Sequence, residues 1–130
     1  MKNRIVLAGI LIVAALSAGL LVSKSDAQEK ETQARVIKQS IVNIEFQGTK
    51  VWVPSYLVVP KGAKVELKLI NDTKSGVHGF TIPDFNVKTE VAPGKPKELS
   101  FIADRTGIFP INCHMHPAHI GGQLVVLDIK

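Results

Sequence analysis

The chain holds a single cysteine, Cys113, in 130 residues. That scarcity excludes an internal disulfide framework, a four-cysteine zinc site and a cysteine-ligated iron–sulfur cluster. Aromatic residues are also few, with one Trp, one Tyr and five Phe. No basic patch interleaved with aromatics is present, so nucleic acid is excluded as a partner. Val, Ile and Leu supply most of the apolar mass, a composition suited to β-structure. Charged residues reach 21% against 45% hydrophobic, which excludes a solvated disordered chain and allows one packed domain. A long aliphatic run occurs only near the N-terminus.

There, Lys2 and Arg4 precede 18 uncharged residues, 5–22, and Ser25-Asp26-Ala27 follows. Small residues thus stand three places and one place before Gln28, which is the anatomy of a secretory signal peptide. The alternative is an uncleaved anchor, because 18 apolar residues just span a hydrocarbon core. Both readings export the remainder, to the periplasm or beyond, and only the uncleaved segment would touch a membrane. Cleavage after Ala27 predicts a signal segment at 1–27 and a mature domain at 28–130. Its 13 basic and 10 acidic residues describe a solvated surface. Without disulfides such a domain rests on its core, helped by a metal.

Residues 28–39 are polar, and part of the segment reads as a mobile arm or a loose helical turn. Period-two alternation then begins: Val42, Ile44 and Phe46 against Asn43 and Glu45, with Gly48 ending the strand. Val51-Trp52-Val53 precedes Pro54, and residues 56–59 lead to a Pro60-Lys61-Gly62 turn. Val65, Leu67 and Leu69 alternate with Glu66 and Lys68. Further strands fall at 80–82, 87–91, 99–103, 108–113 and 123–129, separated by loops or turns at 71–76, Pro93-Gly94 and 104–107. Seven or eight short strands with closely spaced turns and no helical period predict an all-β Greek-key sandwich.

The chemistry is concentrated near the C-terminus. All four histidines lie between residues 78 and 119, and His114, His116 and His119 stand within six residues of Cys113. A strand delivers Cys113, a short loop returns His116 and His119 to it, and His78 arrives from a separate loop. A thiolate with imidazoles from two loops describes a mononuclear metal site suited to copper, with a weaker further ligand. One thiolate and three imidazoles also make a closed set for zinc. A cysteine protease would need an oriented Asn or Asp and an oxyanion hole, which no motif here supplies. His114, next to Cys113 on a strand end, should point to the opposite face. Met115 is the spare candidate for the further ligand. Asn71, Asp72 and Ser75 are candidates to hydrogen-bond the thiolate or an imidazole.

These residues carry a resemblance. From about residue 58 onward the chain resembles a cupredoxin. The segment His78-Gly79-Phe80-Thr81-Ile82-Pro83-Asp84-Phe85, with Val87-Lys88-Thr89-Glu90 and Pro93-Gly94, is similar to the copper domain of cytochrome oxidase subunit II. That domain's binuclear site uses two cysteines, and this chain has one, so a binuclear centre is excluded. Cys113-x-x-His116-Pro117 with the Val-rich final strand also resembles mononuclear blue copper proteins and nitrosocyanin. The resemblance implies that His78 is the first histidine ligand, Cys113 the thiolate and His116 the second histidine. His119 stands where many blue copper proteins place an axial methionine. In nitrosocyanin a carboxylate takes the His78 position and the last histidine lies farther along.

The functional expectation is an exported protein with one copper held by His78, Cys113, His116 and His119, transferring single electrons to a redox partner. Pro117 would stiffen the ligand loop, and Pro117, Ala118 and Ile120 would form an apolar docking rim. Two alternatives are a nitrosocyanin-like site, catalytic or binding a small molecule, and a periplasmic copper carrier. Carriers favour methionine-rich or paired-cysteine motifs, and the mature chain offers one methionine, Met115.

Overall fold

The structure is a computed structural model describing residues 35–74 and 76–129. The expected signal segment at 1–27 and Ser75 lie outside the described residues. Nine strands follow in chain order: β1 (Val36–Phe46), β2 (Thr49–Val53), β3 (Tyr56–Pro60), β4 (Lys64–Asn71), β5 (His78–Ile82), β6 (Val87–Val91), β7 (Lys97–Ile102), β8 (Gly107–Ile111) and β9 (Gly122–Leu127). A 3-10 turn at Pro83–Phe85 links β5 to β6. One sheet has the order β2-β1-β4-β7, a second the order β3-β9-β8, and β5 pairs with β6. A backbone bridge between Thr81 and Asn112, with N–H···O distances of 2.9 and 3.0 Å, ties β5 to the segment leaving β8. The all-β sandwich expected from alternation is the observed class.

The alternation sorts side chains as the sequence predicts. Val65, Leu67 and Leu69 of β4 are buried, while Glu66 and Lys68 between them face outward. Each such buried aliphatic side chain stabilises the fold by about 1.5–3 kcal/mol. Between the layers these residues meet Phe80, Ile82, Leu124 and Val126, all essentially inaccessible. Strand β5 is buried along its whole length, so the strand that begins with His78 is anchored in the core.

Two expectations are corrected. Residues 36–39 are neither an arm nor a helical turn but the start of β1. Strand β1 runs parallel to β4 from Val36 opposite Lys64 to Asn43 opposite Asn71. Ile37 packs against the core and Lys38 reaches Glu66 at 3.3 Å, so ladder pairing overrides a polar composition. The strand count is nine rather than seven or eight, because β2 and β3, only two residues apart, belong to different sheets.

The β1–β2 hairpin turns on Gln47 and Gly48, with φ of 46° and 77°. Two consecutive positive φ values match the twist of the flanking strands, and glycine adopts one of them freely. The hairpin sets Lys50 beside the C-terminal loop, where Ile120 N–H donates to the Lys50 carbonyl at 3.0 Å. No helix among the described residues is long and apolar enough to cross a membrane.

Candidate metal centre

Strand β8 and the Thr81–Asn112 bridge end immediately before Cys113, so its position is fixed relative to β5. Two consecutive turns then follow, with His116 N–H donating to the Cys113 carbonyl at 3.2 Å and His119 N–H to the His116 carbonyl at 3.0 Å. Each turn advances three residues and brings the next side chain back to the same side. The spacing Cys113-x-x-His116-x-x-His119 therefore gathers three donors on one short arc. The arc ends where Ile120 bridges to Val51.

His78 reaches the same place not from a loop, as expected, but as the first residue of β5, where pairing opposite Val91 of β6 extends the ladder to it. Asn71 secures both flanks: its Nδ2 donates to the Val91 carbonyl at 2.8 Å and the Gly76 carbonyl at 3.0 Å. Its Oδ1 accepts from Thr73 N–H at 3.1 Å and Thr73 Oγ1 at 2.7 Å. Downstream, the buried Trp52 Nε1 donates to the Gly79 carbonyl at 2.9 Å, and its ring meets Phe80 edge-on at 5.4 Å.

One donor atom from each of His78, Cys113, His116 and His119 lies within 4.8 Å of all the others. Cys113 Sγ stands 3.5 Å from His116 Nδ1. The His78 ring lies 5.2 and 5.1 Å from those of His116 and His119, which stack on each other at 4.6 Å. Metal–ligand bonds of about 2.0–2.3 Å in a tetrahedron set donors about 3.3–3.8 Å apart, so slight contraction closes the set. His119 Nδ1 is buried with no hydrogen-bond partner among the described residues, as a nitrogen reserved for a metal would be. Burial first, then the charges of His116 and Lys50, hold the His119 imidazole below its ordinary pKa and favour the neutral, ligating form. One thiol and three imidazoles are borderline-soft donors that fit copper or zinc.

Burial grades across the cluster: His78 and Cys113 are buried, His119 is half-buried and His116 is exposed. Met115, Pro117, Ala118 and Ile120 are exposed around it. A cavity of about 390 Å³ lies alongside, lined by Thr81, Asn112, Cys113, His114, Pro117 and His119.

All four expected ligand candidates are thus brought together. His114 stands apart from the cluster and is half-buried. The expectation that Asn71 bonds the thiolate or an imidazole is corrected, since both ends of its amide are committed to Gly76, Val91 and Thr73. Asp72 is exposed, and its backbone N–H donates to the Asn43 carbonyl at 2.9 Å. The clamp from Trp52 was missed. A lone tryptophan in a short strand signals burial and a bonded N–H, but not which carbonyl receives it.

Comparison with known proteins places this geometry in context. Cytochrome c oxidase subunit 2 of Apis mellifera ligustica is 33% identical over 57 residues, covering 44% of this chain and 24% of that protein. The same subunit of Apis florea is 32% identical over the same length and coverage. The match therefore spans about a quarter of those relatives. Among solved structures, copper nitrite reductase from Nitrosomonas europaea superposes with a TM-score of 0.58 at 22% identity, covering 74% of this chain and 42% of that one. A chain of a heme-copper terminal oxidase dimer gives 0.52 at 17% identity, covering 75% and 68%. At such identities these superpositions establish the fold. The family model described as a cupredoxin-like domain matches residues 10–126, and the chain belongs to that family.

Proposed function

We propose that this is an exported mononuclear copper protein that transfers single electrons, with His78, Cys113, His116 and His119 holding the metal. The observation that carries the reading is the convergence of one thiol and three imidazoles within 4.8 Å, graded from buried to exposed. Copper, when bound, supplies a one-electron couple between its cuprous and cupric forms. The protein's part is to hold donors still and to keep water away. His78 is fixed by the Asn71 and Trp52 contacts, and Cys113 by the Thr81–Asn112 bridge. Donors anchored in this way reorganise little when the charge at the centre changes. The exposed His116 edge, with Pro117, Ala118 and Ile120 around it, offers a redox partner an apolar seat. Export is supported by the leader-like sequence at 1–27. Zinc is the competing occupant.

The cavity beside Cys113 and His119 favours a second reading, in which a small molecule reaches the centre. The absorption and electron paramagnetic resonance spectra of the copper-loaded protein separate the readings. An intense thiolate-to-copper band lost in Cys113→Ser, with spectra unmoved by azide, supports electron transfer. Spectra that change with azide support the second reading. An unchanged band in Cys113→Ser refutes the ligand assignment.

A further inference from the structure

We infer that His114 is a positioning residue: its ring, wedged against the Cα of Gly79, sets the separation between the strand that carries His78 and the segment that carries Cys113. The consequence for a metal rests on the reading of the cluster as a metal centre, whereas the wedge itself is a feature of the protein alone.

A Cβ placed on Gly79 would stand 2.5 Å from His114 Nδ1 and 2.6 Å from its Cε1. The imidazole therefore lies directly on the glycine's Cα, closer than any side chain at that position would permit. Gly79 does not have a positive φ, so conformational freedom is not what calls for glycine here. The space taken by His114 is.

Nor is the ring held in place by polar partners. Both nitrogens are buried without a hydrogen bond among the described residues. The nearest carboxylate oxygen, Glu90 Oε1, is 4.0 Å from Nε2, beyond hydrogen-bond reach. The ring contributes no donor to the cluster. What remains is its thickness. The opposing restraint is the Thr81–Asn112 bridge, which holds the two segments together, while the Trp52 hydrogen bond to the Gly79 carbonyl anchors the β5 side.

The location gives that thickness leverage. Gly79 follows His78 directly and His114 follows Cys113 directly, so the contact is one residue from a donor on each side. The bridge at Thr81 and Asn112 acts as the hinge, and the wedge fixes how far the two donors open beyond it. A thinner or thicker wedge alters the His78–Cys113 separation without touching either ligand.

Four variants test this: Gly79→Ala, His114→Ala, the two combined, and His114→Phe. The readouts are the alkylation rate of Cys113 in the metal-free protein, the copper-loaded absorption spectrum and copper affinity. Each alanine substitution alone should change the alkylation rate, shift the spectrum and weaken copper binding by about 10- to 100-fold, as for other groups that orient ligands. The double variant should lie closer to the parent than Gly79→Ala does, because the new methyl enters space the imidazole has left. Such non-additivity marks a direct contact. His114→Phe, which keeps a flat ring, should resemble the parent. Additive effects, or a His114→Phe that behaves as His114→Ala, would overturn the inference. If Gly79→Ala does not fold, recovery of folding in the double variant supports the wedge and continued failure refutes it. A parent that binds no copper sinks the metal reading, while the alkylation pattern still decides the wedge.

Discussion

Replacing Asn71 by aspartate asks how firmly the loop leading into β5 and His78 is held. Asn71 is only 4% exposed, and its Nδ2 donates to two carbonyls, of Val91 and Gly76. Asn71→Asp keeps the shape and both bonds from Thr73, but presents an oxygen to those carbonyls. Of the two Nδ2 bonds only the one to Val91 is buried, while Gly76 is exposed and its carbonyl can turn to water, so the loss is chiefly that of one buried carbonyl, about 1–3 kcal/mol. A domain of roughly 100 residues has only about 5–15 kcal/mol to lose. At the middle of the range, about 2 kcal/mol, the melting temperature falls by about 8–16 °C. The loss also depends on pH. Burial against carbonyl oxygens raises the introduced carboxyl's pKa above its unfolded value of about 3.9. The folded state then binds the proton more tightly, so the penalty is full above the folded pKa and shrinks as pH falls towards the unfolded one. Asn71→Ala lacks this recovery. Melting curves of the metal-free parent and both variants, at about pH 7.5 and about pH 5, test the sign. A deficit for Asn71→Asp below about 3 °C, or one equal at both pH values, would refute this account of the loop.

His119→Met exchanges a strong imidazole donor for a weak thioether, so it should raise the potential of the copper-loaded protein and strengthen absorption near about 600 nm. Unchanged voltammetry and spectra would remove His119 from the ligand set. The acid limb of copper binding should shift to higher pH in Lys50→Gln, because one of the causes holding the His119 pKa down is then gone; copper titrations across pH read this directly. In the metal-free protein the same depressed pKa means that stability falls as pH drops below the unfolded histidine value of about 6.5 and is regained as pH rises. Exported protein should begin at Gln28 by mass spectrometry, and an intact N-terminus in the membrane fraction would make the segment an anchor.

What was legible in the sequence follows from periodicity and spacing. Val65, Leu67 and Leu69 announced a half-buried strand because alternation maps directly onto the two faces of a sheet. The run from Cys113 to His119 announced the centre because two tight turns bring every third side chain back together. Residues 36–39 misled because their place in a strand depends on parallel pairing with β4, a partner almost 30 residues away that local composition cannot encode. Asn71 misled for a related reason. An asparagine near a ligand loop suggests a polar contact with the ligand, yet this one is spent on backbone carbonyls from two other segments. The closeness of Gly79 to His114 was equally hidden, since glycine in a strand signals a close approach without naming what approaches.

The parallel pairing of β3 with β9 bears on when the centre can exist at all. Tyr56 lies opposite Gln123 and Pro60 opposite Leu127, partners 67 residues apart in the chain. Contacts so distant in sequence must await loop closure and form slowly compared with hairpins. The hairpin of β8 and β9 can present Cys113, His116 and His119 early, but His78 joins them only when the layers have closed. A half-folded chain therefore offers three donors, and the fourth arrives with the finished sandwich. Under the proposed function, tight metal capture would report that folding is complete, and an ion that binds only the folded form with full strength would hold that state by mass action.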